Sequence, residues 1–383
     1  MAQAYIVDAV RLAGGRRNGG LSGIHPTELG ALAVDALLER TGIDPGAVED
    51  VLMGCVSQAG EQANQVGRHV VLASKLPQSV PAVTIDRQCG SSQQAVHFAA
   101  QAVMSGTQDV VIAAGVESMS RVPMGSPLLR EQGKDPLGPR IKQRYGVEAF
   151  SQFMGAEMIA KKWGFTREQL DEFGLESHRR AAAAVAAGAF SREIVPVTLS
   201  DGGVHDTDEG IRYDATPQSM AGVKLLLPDG IITAATASQM CDGAAALLVV
   251  SEAALKAHRL TPLARIAQLT VTAGDPVVML EEPLYATDKA LKKAGLGIAD
   301  IDLFEVNEAF APVPLAWLRH TGVDPARLNV NGGAIALGHP LGATGAKLMA
   351  TLVHGLHARK KRYGLQTMCE GGGIANVTII EAV

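Results

Sequence analysis

The stretch Val83–Gly115, VTIDRQCGSSQQAVHFAAQAVMSGTQDVVIAAG, decides the fold. A short β-branched run leads into Cys89 and Gly90. A small, polar first turn (Ser91, Ser92, Gln93, Gln94) then opens a helical segment that closes at Gly106, and DVVIAAG follows as an apolar strand. Strand, glycine turn, helix and buried strand in this order make an α/β unit. The same beat runs upstream through YIVDAV, ELGALAVDALLERTG and DVLMGCV, so the class is α/β.

Outward from that unit the texture changes. From Ser120 to Ala237 the chain is punctuated by proline and glycine around one charged helix, REQLDEFGLESHRRAAAAVAAG, and reads as an insertion over the core. The beat resumes at DGAAALLVVSEAALKAHRL and continues through DLFEVNEAFAPVPLAWLRHTG. The second half also echoes the first: NVNGGAIALGHPLGATGAKLMATLVHGL, a basic turn ARKKR, then the strand YGLQTMCEGGG. Two copies of one unit would bring their glycine turns to a pseudo-symmetric centre, and with them Cys89, His339 and Cys369.

Composition narrows the function. The 383 residues are 47% hydrophobic with a formal net charge of −5, which provides no basic surface for nucleic acid. Cys55, Cys89, Cys241 and Cys369 are scattered without metal-ligand spacing and make no disulfide framework, so no metal is expected. MAQAYIVDAVR enters a strand at once, with no signal-peptide pattern and no membrane-spanning run, so a reducing cytoplasm is the expected location. Neither a Walker A motif nor a GxGxxG after a strand is present to hold a nucleotide.

An arbitrary cysteine is most often a packed thiol. Cys89, however, stands at a helix N-terminus, where free N–H groups and the macrodipole favour a thiolate and lower its pKa. His339 lies in the glycine-dense GGAIALGHPLGATGA, where the backbone can approach a ligand closely, and it can serve as a base. Cys369 ends a strand that runs into Gly371, Gly372 and Gly373, whose N–H groups could face an oxyanion. Two thiols and an imidazole suit a reaction that moves a proton to and from carbon. Asn307 and Glu308 follow DLFEV at an expected helix start, where an ordinary Asn N-cap is the plain alternative. His97 reads as a packed or surface side chain.

These motifs, CGSSQQA at Cys89, NEAFA from Asn307, GGAIALGHPLGATGA around His339 and C-x-GGG from Cys369, occur in the order and spacing of the thiolases, and the chain resembles that family over nearly its full length. The resemblance implies a thiolase fold: two similar βαβαβαββ halves in a five-layered αβαβα core with an inserted loop domain. The implied boundaries are 1–118 with 241–262, 119–240, and 263–383. It implies thiolytic cleavage of a 3-ketoacyl-CoA through a Cys89 acyl-enzyme, with His339 as base and Cys369 as the second acid–base. Oxyanion holes are implied at His339 with an Asn307-bound water and at the N–H groups of Cys89 and Gly371. Coenzyme A is then a co-substrate and no cofactor is held permanently. The partners are acyl-CoA substrates, without nucleic acid or membrane, in a homodimer or homotetramer.

Contacts to coenzyme A or the acyl chain carry over to Ser238, Arg212, Met154 and Met279. Phe153 stands where short-chain acetoacetyl-CoA thiolases often have histidine, making the pocket wall apolar. Gln239 replaces a glycine beside Ser238, Cys241 an asparagine, and Glu370 a common isoleucine. DRQCGSSQQA with CEGGGxAN is similar to actinobacterial thiolases of steroid-ring degradation. A biosynthetic acetoacetyl-CoA thiolase is the alternative. Ketosynthases use two histidines where this chain has His339 and Cys369, and a non-catalytic carrier would lack one of the three reacting residues.

Overall fold

The computed structural model describes residues 2–129 and 132–383. Its main sheet follows nine strands: β1 Ala4–Leu12, β2 Asp50–Gly54, β3 Ala82–Ile85, β4 Val110–Ser118, β5 Cys241–Ser251, β6 Ala264–Ala273, β7 Leu303–Val306, β8 Tyr363–Glu370 and β9 Ile374–Ala382. Their spatial order is β7-β8-β9-β6-β1-β5-β4-β2-β3, with short strands at Gly15–Arg16 and Ile194–Val195 attached to the side. The second of these brings part of the inserted segment into the sheet, parallel to the end of β1.

The path contains the same arrangement twice. In the first half the order is β3-β2-β4-β5-β1; in the second, β7-β8-β9-β6, with Leu328 bridging Phe304 in place of the missing edge strand. Pairing senses also match: β2–β4 and β7–β8 are parallel, β4–β5 and β8–β9 antiparallel. The halves meet where β1 pairs β6 through Tyr5↔Arg265 and Ile6↔Ala264.

The helices used below are α1 Pro26–Thr41, α2 Val66–Ala73, α3 Ser91–Ser105, α4 Gln152–Trp163, α5 Arg167–Ala186, α6 Glu282–Ala294, α7 Pro312–Thr321 and α8 Thr344–Arg359. Strand β5 explains the layering. It is buried throughout, so its apolar run has no polar alternation. Ala244, Ala246, Leu248 and Val250 pack with α1 and α2, whereas Ala245, Leu247 and Val249 face α3 and α8. A third core sets α6 and α7 against Leu365 and Val377 of the second half. The result is five layers, αβαβα, with α3 and α8 in the middle. Small residues on both (Ala95 and Ala99; Ala346 and Ala350) let these two helices approach closely.

Helix ends follow their sequence signals. Gly106 closes α3 with φ 74°, in the left-handed region, and Lys360 does the same for α8 at φ 53°. The N-terminus of α5 is sealed by a capping box of Thr166 and Gln169.

Candidate active site

Cys89 sits on a tight turn between β3 and α3. Gln88, just before it, has φ 48°, a left-handed conformation that costs a non-glycine residue about 1–3 kcal/mol. Two side chains hold the turn. Asp86 Oδ1 accepts from the Gln88 N–H at 2.7 Å, while Ser91 Oγ accepts from the Arg87 N–H at 2.9 Å and donates to the Gln88 carbonyl at 2.6 Å. The letters D-R-Q-C-G-S thus encode a held loop as well as a candidate nucleophile.

The thiol's acidity corrects one expectation. Cys89 is half-buried as a residue, yet burial is the leading influence on its thiol, followed by the charge of Glu370. Together they push it up to about 12, against the pull of its own backbone N–H. Cys89 therefore rests as a thiol and needs a base.

His339 is positioned to be one. Its N–H donates to the Gln239 carbonyl at 2.9 Å, and its Nδ1 lies 2.6 Å from Thr344 Oγ1. The Thr344 hydroxyl donates to the Pro340 carbonyl at 3.1 Å, so its oxygen receives the Nδ1 proton and Nε2 is left with the lone pair. Nε2 is buried and has no partner among the described residues. Burial, then the charge of Lys347, pulls the imidazole down to about 3, so it is neutral. Lys347 itself donates to the Leu337 carbonyl and lies 3.4 Å from Asp208, which Arg11 grips at 2.9 and 3.0 Å.

The glycines of the His339 loop have a steric cause. A methyl on Gly345 would come within 2.1 Å of the Gln93 nitrogen, and one on Gly342 within 2.5 Å of Cys55 Cα. The first turn of α3 and the entry of α8 lie backbone against backbone, and Ser92 Oγ accepts from the Ala346 N–H at 2.9 Å. This contact ties the Cys89 turn to the His339 loop.

Cys369 is fully buried at the end of β8. Burial raises its thiol well above the ordinary range, and the neighbouring Cys89 and Glu370 add to the effect, so the two sulfurs share one site. Gly371 abuts the turn that carries Cys89: a methyl there would meet Gln88 Oε1 at 2.9 Å. Neither the Cys89 nor the Gly371 N–H donates to a carbonyl of the described residues outside the regular elements. Gly373, at φ 76°, passes so close to Asp275 that a methyl would lie 2.7 Å from its carbonyl oxygen.

Asn307 is not a helix cap; α7 begins at Pro312, after Ala311. Its N–H donates to the Thr367 carbonyl at 3.1 Å, and both polar atoms of its side chain are buried without partners among the described residues. Orphaned groups on Asn307 and His339 fit a water or substrate oxygen, since buried polar atoms are normally paired.

The candidate coenzyme A and acyl contacts divide. The Phe153 ring stands edge-on to Phe310 of the NEAFA loop, centroids 5.7 Å apart. The Ser238 N–H donates to the Ala309 carbonyl at 2.9 Å, and Met279 packs in the same core as Phe310. Met154 and Arg212 lie on the surface, with the Arg212 N–H donating to His178 Nδ1. A cavity of about 520 Å³ between α5 and α7 reaches Glu308 but neither cysteine. No cluster of His, Cys, Asp or Glu among the described residues could hold a metal ion, and no helix is long and apolar enough to cross a membrane.

Two buried glutamates support the loops. Glu117 accepts from the N–H groups of Val56, Ser57 and Gly342 and from Gln62, each at 2.9 Å. Glu308 accepts from Ser177, Asn329 and the Ile335 N–H. The signal for Glu117 was an acid inside an apolar strand, GVES, a position where acids are scarce unless paired.

Residues 4–253 match the family model for the thiolase N-terminal domain and residues 260–382 that for the C-terminal domain. The chain belongs to the thiolase family. This thiolase is 53% identical to a steroid 3-ketoacyl-CoA thiolase of Mycobacterium tuberculosis, over 100% of this chain and 94% of that one. It is 42% identical to a beta-ketoadipyl-CoA thiolase of Acinetobacter baylyi over the whole of both chains. Its fold superposes on the Bacillus anthracis acetyl-CoA acetyltransferase with a TM-score of 0.92 at 35% identity, covering 100% and 99% of the two chains. It is thus an acyltransferase with the thiolase fold.

Proposed function

We propose that this thiolase cleaves a 3-ketoacyl-CoA with coenzyme A, giving acetyl-CoA and an acyl-CoA two carbons shorter, through an acyl-enzyme on Cys89. The Cys89 thiol passes its proton to His339 Nε2 and its sulfur attacks the 3-keto carbon. As the C2–C3 bond breaks, the departing acetyl-CoA carbanion takes the Cys369 proton. Coenzyme A then gives its proton to the Cys369 thiolate and attacks the acyl-enzyme, and Cys89 leaves and recovers its proton from His339. A water on Asn307 with His339, and the N–H groups of Cys89 and Gly371, serve the oxyanions.

The observation that carries this reading is a neutral His339 with a free, buried Nε2 in a site whose two thiols influence each other. Ser238, Met279 and Phe153 would line the path of the acyl–pantetheine arm, with Met154 and Arg212 nearer its surface end. The acyl group is larger than acetoacetyl and carries a ring; the apolar Phe153 and the steroid thiolase relative support that. The test is thiolysis across 3-ketoacyl-CoAs of increasing length and ring content. No cleavage of any of them would end the proposal, and activity on acetoacetyl-CoA alone would favour the biosynthetic alternative.

A further inference from the structure

Glu370 is fully buried, yet neither of its carboxyl oxygens has a hydrogen-bond partner among the described residues. It follows Cys369 by one peptide bond and turns inward against the Cys89 turn. A methyl on Gly90 would sit 2.0 Å from its Oε1 and 2.5 Å from its Cδ. One acid group is therefore wedged between the chain segments that carry the two thiols.

The internal symmetry sharpens the contrast. Glu117 near the end of β4 and Glu370 at the end of β8 occupy matching places in the two halves. Glu117 touches the entry of α8 through Gly342, as Glu370 touches the entry of α3 through Gly90. Glu117 has four donors, the usual equipment of a buried carboxylate. Glu370 has none.

The titratable and charged groups around Glu370 are few. Arg87 and Cys89 come from the turn before α3 and Cys369 from its own strand, while Asp86 and Glu117 act on Cys89, and Arg87 also acts on His97 of α3. Arg87 is the cation that acts on it, but the two form no ion pair, and the Arg87 Nε is itself buried without a partner among the described residues. The Asn376 N–H, like Arg87, favours the ionised carboxyl. Burial outweighs both and raises the acid to about 8. Glu370 in turn disfavours a thiolate at Cys89 and at Cys369.

We propose that Glu370 is a positioning residue for the two thiols: protonated, it lets one sulfur carry the negative charge, and ionised, it opposes that charge. Carboxylate and thiolate in one dry site cannot both ionise freely, so their titrations are linked. The inference rests on the reading of Cys89 and Cys369 as the reacting pair.

The test needs no substrate. Iodoacetamide forms an S–C bond at Cys89 as iodide leaves, at a rate set by the thiolate fraction. The reaction is followed by peptide mass spectrometry from below to well above pH 8. In the wild type the rate should rise with pH, then break to a shallower slope as Glu370 ionises. Glu370→Gln should rise without the break and exceed the wild type by about tenfold or more at the alkaline end, the scale of a removed like charge. Glu370→Asp should keep the break. An unbroken wild-type profile overturns the proposal even if the Gln variant fails to fold, and so does the same break in Glu370→Gln. A failure of the thiolase reading itself would show separately, as the absence of an acyl adduct on Cys89.

Discussion

His339 Nδ1 and Thr344 Oγ1 lie 2.6 Å apart, and that bond decides which ring nitrogen is basic. Thr344→Val removes the acceptor and frees the ring to protonate Nε2 instead. kcat should fall at least about tenfold, a fraction of the roughly 10²–10⁴ attributable to a general base. KM should change little, and Thr344→Ser should restore the rate. An unimpaired Thr344→Val enzyme would show that the tautomer is set elsewhere.

The proposed mechanism gives the two thiols different functions. Cys369→Ala leaves Cys89 and His339 in place, so a thioester donor should still load acyl groups onto the enzyme. Turnover should drop by at least roughly 10²-fold, because the carbanion loses its acid. Near-normal turnover in that variant would remove Cys369 from proton transfer.

Much of this was legible in the residues. The Cys89 turn, the strand after Gly106 and the buried run at 241–251 carry local signals of period and punctuation, and the structure places elements there. The glycines around His339 announced close approach, although only the fold shows that the approaching partner is the first turn of α3. The acidity of Cys89 is not legible locally: helix position is local, whereas burial and the nearness of Glu370 depend on a strand some 280 residues away. The left-handed Gln88 left no trace, since its sequence letter is ordinary and Asp86 and Ser91 supply the restraint. His97 proved to be the packed kind, bonded to Thr378 at 2.8 Å.

In the proposed function, substrate size turns on Phe153. Its ring rests edge-on against Phe310, as part of a wall. A bulky 3-ketoacyl-CoA should therefore exceed acetoacetyl-CoA in kcat/KM, with each methylene that the pocket buries worth about 0.8 kcal/mol, or roughly fourfold. Phe153→His should shrink that preference. If the wild type prefers acetoacetyl-CoA and Phe153→Ala weakens the preference, the ring is a plug.

Acid should loosen the fold before the carboxylates titrate. Burial pulls His97 and His339 down to about 3 and His178 to about 4. Their unfolded forms take up protons near pH 6.5 and the folded forms do not, so stability is full above 6.5 and falls as the pH drops below it. Each histidine contributes a slope approaching about 1.4 kcal/mol per pH unit. Urea midpoints between pH 7 and 5 measure it, and His97→Gln should reduce the slope. Flat midpoints over that range would contradict neutral burial of these rings.

The central claim is that Cys89 carries the acyl group. The most direct measurement is peptide mass spectrometry after brief exposure to a 3-ketoacyl-CoA or an acyl-CoA donor, on wild type and on Cys89→Ala. The expected result is a thioester-linked acyl group on Cys89 that is released on adding coenzyme A and is absent from the variant. An equal adduct on Cys89→Ala, or one mapping to Cys369, Cys55 or Cys241, would contradict the account.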